Sequence, residues 1–179
     1  MATLGFYGGV GSVTGANFMV DTGKTALLVD CGLIQGDQFD QAGNHEPFIY
    51  DPAHIDTLLV THAHADHIGR IPKLVKDGFG GTIYSTTPTR DLANVMLRDA
   101  VKVMRYEAER YGKEVLYEER DVDAALSAWK THDYNEPFSV GDEITATFTD
   151  AGHIMGSAMV NLEREIGRAS CRERVCHRV

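Results

Sequence analysis

Short apolar runs alternate with glycine-dotted polar loops along the chain, and one long stretch carries helical spacing. Leu4-Gly5-Phe6-Tyr7-Gly8 predicts a first strand. Asn17-Phe18-Met19-Val20, a turn at Asp21-Thr22-Gly23-Lys24, and Thr25-Ala26-Leu27-Leu28-Val29-Asp30 predict a β-hairpin. Residues 31–54 are polar and dotted with Gly, Asn and Pro, which predicts loop. Ile55–Val60 reads as a buried strand, because its apolar run is too short for a helix and is β-branched at both ends. Pro72 suits the first turn of a helix running to Asp77, with Gly78 as its stop, and Gly81–Ser85 predicts another strand. Thr87 as cap and Pro88 at the first helical position open a helix of about 24 residues, about 36 Å long. Its apolar positions Leu92, Val95, Met96, Ala100 and Val103, with Tyr111 further on, predict the face that packs on the core. Val122, Leu126 and Trp129 predict a shorter helix ending at Thr131-His132, with His132 exposed. Strands return at Phe138-Ser139-Val140 and Ile144–Thr149, whereas Ile166–Val179 shows neither strand alternation nor a helical stripe.

Directly after the Ile55–Val60 strand comes Thr61-His62-Ala63-His64-Ala65-Asp66-His67-Ile68-Gly69. Three imidazoles and a carboxylate stand at the spacing H-x-H-x-D-H, in the loop where α/β folds usually place ligands. A loop can turn all four side chains toward one point. Neutral imidazole suits zinc, and a carboxylate beside it suits a hydrolytic rather than a purely structural site. A His-rich surface loop without metal is the bland alternative, and four ligand-type residues in six argue against it. Asp150-Ala151-Gly152-His153-Ile154-Met155-Gly156-Ser157 repeats the pattern of β-branched strand and loop histidine. Alone, His153 would read as structural; beside the first cluster it is the distal ligand, since one cluster cannot close a metal shell. Asp30 at a strand tip is either an ordinary turn carboxylate or a group orienting a ligating histidine. His45 and His54 are isolated and read as exposed or structural. The glycines of Gly8–Gly15 tempt a phosphate-loop reading, but there is no Gly-Lys-Ser/Thr ending and a strand follows instead of a helix.

Composition adds bounds. A length of 179 residues suits one domain, and 43% hydrophobic with 24% charged residues is ordinary for a globular protein. No window of about 18 apolar residues reads as a membrane span, and the start lacks the basic and apolar regions of a secretory signal. Cys31, Cys171 and Cys176 make no disulfide framework, so a cytoplasmic address fits. The net charge of −9 is uneven: without residues 163–179 the chain carries 12 basic and 23 acidic side chains, net −11. Such an acidic body does not grip a phosphate backbone by charge alone.

His62-x-His64-x-Asp66-His67 with Gly152-His153 resembles the metallo-β-lactamase superfamily. Gly8 through Asn17, Asp30-Cys31-Gly32, Ser85-Thr86-Thr87-Pro88-Thr89-Arg90-Asp91-Leu92 and Gly152–Ser157 are similar to its β-CASP branch. That branch contains RNase J and the endonuclease of the pre-mRNA cleavage and polyadenylation machinery. The resemblance covers about residues 3–162. It implies an α/β fold, the αβ/βα sandwich of two sheets between helices, with a helical insert between the metal motifs. It further implies that His62, His64 and His153 hold one zinc and that Asp66 and His67 contribute to a second. A hydroxide bridging the metals would attack an RNA phosphorus, with Asp66 orienting it as the catalytic residue and Asp30 behind a ligand.

The family pattern next needs a strand, a loop aspartate bridging both metals, a β-CASP domain and a last histidine. After Asp150 the chain has no aspartate. The Arg-Ala-Ser-Cys-Arg-Glu-Arg-Val stretch resembles out-of-frame or adaptor-derived read-through, and that context argues against His177 as a substitute ligand. The resulting expectation is a partial metallo-β-lactamase domain over 1–162, N-terminal part only, followed by an aberrant tail over 163–179. Three readings compete: a zinc-dependent RNA nuclease in the longer parent, another hydrolase of the fold acting on thioesters or lactams, and a non-catalytic metal-binding fragment. A sandwich missing one half should also expose an apolar sheet face and aggregate.

Overall fold

The computed structural model describes residues 2–36, 42–164 and 173–176. Six strands form one sheet in chain order: β1 (Thr3–Gly8), β2 (Asn17–Asp21), β3 (Ala26–Val29), β4 (Thr57–Leu59), β5 (Thr82–Ser85) and β6 (Trp129–Thr131). The first three are an antiparallel meander, with Phe18 opposite Val29, and the last three add in parallel, with Val29 opposite Leu59 and Leu59 opposite Tyr84. Parallel strands buried on both faces read as unbroken apolar runs, which is why Ala26–Val29 and Thr57–Leu59 show no polar alternation.

The period of two decides what each face meets. Leu28, Leu58 and Ile83 point toward the helices α1 (Ala65–Ile68), α2 (Ile71–Lys76), α3 (Thr87–Tyr111) and α4 (Glu119–Ser127). Leu27, Val29 and Leu59 point the other way, onto Phe138, Val140, Ala146, Phe148, Ala158 and Val160. These last belong to or adjoin a second sheet of β7 (Phe138–Ser139), β8 (Ile144–Asp150), β9 (Ala158–Arg164) and β10 (Glu173–Cys176), in the order β10-β9-β8-β7. The result is helices, sheet, sheet: an α/β sandwich in which α3 and α4 form the insert between the two histidine segments. Among the described residues the expected bare apolar sheet face is absent, because the second sheet covers it and turns half-buried Thr145, Thr147, Thr149 and Asn161 outward. None of the helices among the described residues is long and apolar enough to cross a membrane.

Several boundaries and faces differ from the sequence pattern. Ile55 lies before β4, capping a 3₁₀ turn at Pro52–His54. Thr86, not Thr87, caps α3, its side chain accepting from the Thr89 amide, and Pro88 then occupies the second helical position. The buried face of α3 is Thr89, Ala93, Leu97 and Val101, spaced by four. The larger residues that suggested a core stripe face solvent, with Val95 66%, Val103 51% and Tyr111 63% exposed. Trp129 starts β6 instead of ending a helix, because its indole Nε1 donates to Ser85 Oγ at 2.9 Å across the parallel pair. His132 is half-buried, stacked on Phe138 at 3.9 Å. Beyond His153 the pattern suggested no strand, yet β9 pairs with β8 along its whole length, and Glu173–Cys176 pairs with β9. The expected limit at residue 162 therefore falls inside β9, and Cys171, His177 and the rest of 165–172 and 177–179 lie outside the described residues.

Candidate metal centre

β4 delivers its last residue to a loop, Thr61–His64, that continues into the single turn of α1. His62 and His64 therefore lie in loop, as expected, whereas Asp66 and His67 lie on a helical turn. That turn is clamped from below by the Asp30-Cys31-Gly32 corner after β3. The Cys31 amide donates to His67 O at 2.8 Å, Leu33 N to Ala65 O at 2.9 Å, and Ala16 N to Asp66 O at 2.9 Å. The approach is so close that a Cβ on Gly32 would stand 1.6 Å from Asp66 O. Asp30 itself sits at φ 61°, a left-handed conformation that Asp tolerates better than most residues.

Asp30 is fully buried, and its carboxylate accepts three hydrogen bonds. Oδ1 takes the Thr61 amide at 2.8 Å, and Oδ2 takes Thr61 Oγ1 at 2.7 Å and His67 Nδ1 at 2.8 Å. A carboxylate donates nothing, so the single Thr61 hydroxyl proton points at Asp30. Thr61 Oγ1 must then accept from His62 Nδ1, 3.0 Å away. One buried anion thus sets the tautomer of two histidines, leaving Nε2 of each facing the cavity. Burial, with the charge of His67 adding, pushes His62 down to about 4, which keeps it the neutral donor a metal needs. Burial opposes charge on His67 as well, but the Asp30 hydrogen bond and charge, helped by Asp66, raise it above its ordinary range.

The second sheet brings His153. Gly152 adopts φ 66° with its amide on Asp150 Oδ1 at 2.8 Å, and Ser157 Oγ accepts from the His153 and Ile154 amides at 3.1 and 3.2 Å. Ala158 N donates to Thr61 O at 2.8 Å, tying the two sheets together beside the histidines.

Three imidazoles converge there. His62 Nε2 lies 3.1 Å from His64 Nδ1, which lies 3.2 Å from His153 Nε2, and the three rings are 4.9 Å apart, pair by pair. Among the described residues these are the one group of three or more ligand-type side chains brought together in this way. Nitrogens bound at about 2.0–2.1 Å to one tetrahedral ion stand about 3.3 Å apart, so the nest fits a single divalent metal with little movement. His67 Nε2 stands beside, 3.6 Å from Asp66 Oδ2. Those two side chains border a cavity of about 370 Å³ that runs from the histidines to apolar Val20, Val29, Val160 and Leu162 between the sheets. His45, paired with Glu114 at 3.8 Å, and His54, paired with Asp51 at 2.8 Å, take no part. Sequence reading passed over Thr61 and Ser157. Thr61 immediately precedes the first histidine and was open to notice; the partner of Ser157 is set only by the loop's fold.

Residues 19–169 match the metallo-beta-lactamase superfamily domain. The chain is 38% identical over 159 residues to Ribonuclease TTHA0252 of Thermus thermophilus, covering 89% of this chain and 34% of that protein. It is 37% identical over 157 residues to the transcription termination factor FttA of Methanosarcina mazei, covering 85% and 23%. The chain thus spans about a third or less of the length of these relatives. Among solved structures, a B3 metallo-beta-lactamase with an active-site glutamic acid superposes with a TM-score of 0.56 at 22% identity, over 98% of this chain and 58% of that one. The B3 enzyme BJP-1 of Bradyrhizobium japonicum gives 0.54 at 19% identity, over 93% and 56%. Fold, histidine nest and sequence agree: this chain belongs to the metallo-beta-lactamase superfamily.

Proposed function

We propose that the protein containing this chain is a β-CASP ribonuclease that uses zinc to hydrolyse RNA phosphodiesters. The observation that carries the reading is the convergence of His62 Nε2, His64 Nδ1 and His153 Nε2, in a chain whose relatives include a protein named ribonuclease. These three would hold one zinc; Asp66 and His67 would hold part of a second. Zinc supplies an acidified water and a Lewis-acid clamp on phosphoryl oxygen. The chain's own side chains do the rest. Asp66, half-buried at the cavity edge, accepts a hydrogen bond from the attacking water and fixes its direction. Asp30 and Thr61 keep His62 and His67 in one tautomer, so that their lone pairs stay on the cavity side. Asp66 and His67 make only two ligands, so a second ion needs a further donor, and the acidic body leaves the grip on the phosphate backbone to other parts of the protein.

The test is cleavage of end-labelled single-stranded RNA by the whole protein, alongside a thioester and a chromogenic lactam. RNA cleavage that chelation abolishes and zinc restores, and that His64→Ala removes, is the expected result. Hydrolysis of the thioester or lactam with RNA left intact would overturn it in favour of another hydrolase of the fold. Zinc binding with no hydrolysis of any of the three would leave a metal-binding module.

A further inference from the structure

His153 differs from the other ligand candidates in how it is held. His62 and His67 each lean on a buried partner, Thr61 or Asp30, through Nδ1. Among the described residues no side chain or carbonyl engages Nδ1 of His153; its ring is exposed and meets only His62 and His64. Its position therefore rests on the backbone of its loop.

That backbone is gripped at Gly156 by a remote element. The Gly156 carbonyl accepts from Thr86 Oγ1 at 2.6 Å and from Thr89 Oγ1 at 2.8 Å, both at the start of α3 and 70 and 67 residues away in sequence. Both hydroxyls converge on one oxygen and lie 3.0 Å from each other, so the single Thr86 proton is shared between the Gly156 carbonyl and Thr89 Oγ1. The fit is tight. Gly156 sits at φ 84°, and a Cβ there would lie 2.7 Å from Thr89 N and 2.8 Å from either hydroxyl. Thr89 is fully buried although it is polar, which only a made hydrogen bond tolerates.

We propose that Thr86 and Thr89 are positioning residues for His153, forming a latch between the start of the long helix and the metal nest. This rests on the metal reading above. Thr89 is the cleaner probe, since Thr86 also caps α3. Partners that orient a metal ligand typically change affinity by about 10–100-fold, and a partner acting through backbone belongs near the lower end. Thr89→Val should therefore weaken cobalt(II) binding by about tenfold and reduce the intensity of its visible d–d bands as His153 drifts out of the coordination sphere. Thr89→Ser should restore both. A residue that merely stabilises the helix would lower the melting temperature of the metal-free chain in Thr89→Val and leave the cobalt spectrum unchanged; that outcome overturns the latch. His153→Ala tells the latch from the metal nest. If His153→Ala does not weaken cobalt binding, the metal reading itself is wrong; if it does and Thr89→Val does not, only the latch is wrong. Hydrogen exchange on the unaltered chain decides the matter without requiring any variant to fold. Zinc must slow exchange of the amides just after Thr89 more than that of amides further along α3 if the latch is real, and slows both alike if it is not.

Discussion

At Gly32, added bulk and lost chemistry are the same event. A methyl there collides with the carbonyl of Asp66, so Gly32→Ala must push α1 away and carry Asp66 and His67 with it. We expect a stability loss of about 1–3 kcal/mol in urea unfolding, together with weakened zinc binding by calorimetry. Asp30→Asn tests the buried anion directly. Its amide would present protons where His67 Nδ1 and Thr61 Oγ1 now donate, so zinc affinity should fall by about 10–100-fold while Asp30→Glu, too long for the corner, fares no better. Cys31 gives a negative prediction. Burial lifts its thiol to about 12 against the pull of Arg70 and Lys73, so iodoacetamide at about pH 8.5 should leave the Cys31 peptide unmodified until the chain is unfolded. At this scale the candidate ligands were open to sequence reading, because four of the five groups lie within six residues of chain, and the fold brings His62, His64 and His153 together. Apart from Thr61, the hydroxyls were not legible. What Thr89 bonds to is settled by a segment 67 residues away that only the fold brings near, and what Ser157 bonds to by the tight turn of its own loop.

Among the elements, the long helix shows how a pattern can give the right element and the wrong face. Several of the apolar residues of α3 (Val95, Met96, Val103) are exposed, while its buried face is made by Ala93, Leu97 and Val101. A helix packed on a core needs only a narrow strip, here one buried residue per turn. Positions one apart differ by about 100° around the axis, enough to exchange core for solvent. Leu97→Ala should accordingly cost about 2–5 kcal/mol by chemical denaturation, and Val103→Ala within about 0.5. The same blindness concealed β9. Ala158, Val160 and Leu162 alternate correctly with Met159, Asn161 and Glu163, but the expected domain limit at 162 cut across the run and left it unread as a strand. Trp129 was placed on a helix by spacing alone, whereas its indole proton selects a strand, where Ser85 can receive it.

The whole molecule brings its candidate ligands from two sheets. His62 and His64 end a strand of the first, His153 leaves a strand of the second, and one backbone hydrogen bond, Ala158 N to Thr61 O, joins the layers beside them. Much of the apolar surface that remains outside is on α3, with Val13, Ile49 and Met155 exposed elsewhere, so any self-association in gel filtration that runs through the helix should be reduced by Val95→Lys with Val103→Lys at no cost in unfolding midpoint. The intersheet hydrogen bond has a larger consequence. An ion seated among these histidines would act as a cross-link between segments 89 residues apart, closing a loop the unfolded chain leaves open. Folding and ion capture would then be one equilibrium. Each tenfold rise in free zinc above its dissociation constant would add about 1.4 kcal/mol to stability, and chelation would remove it. The melting temperature of such a protein would rise with the zinc activity around it, and a shortage of the metal would lower it without unfolding the chain outright.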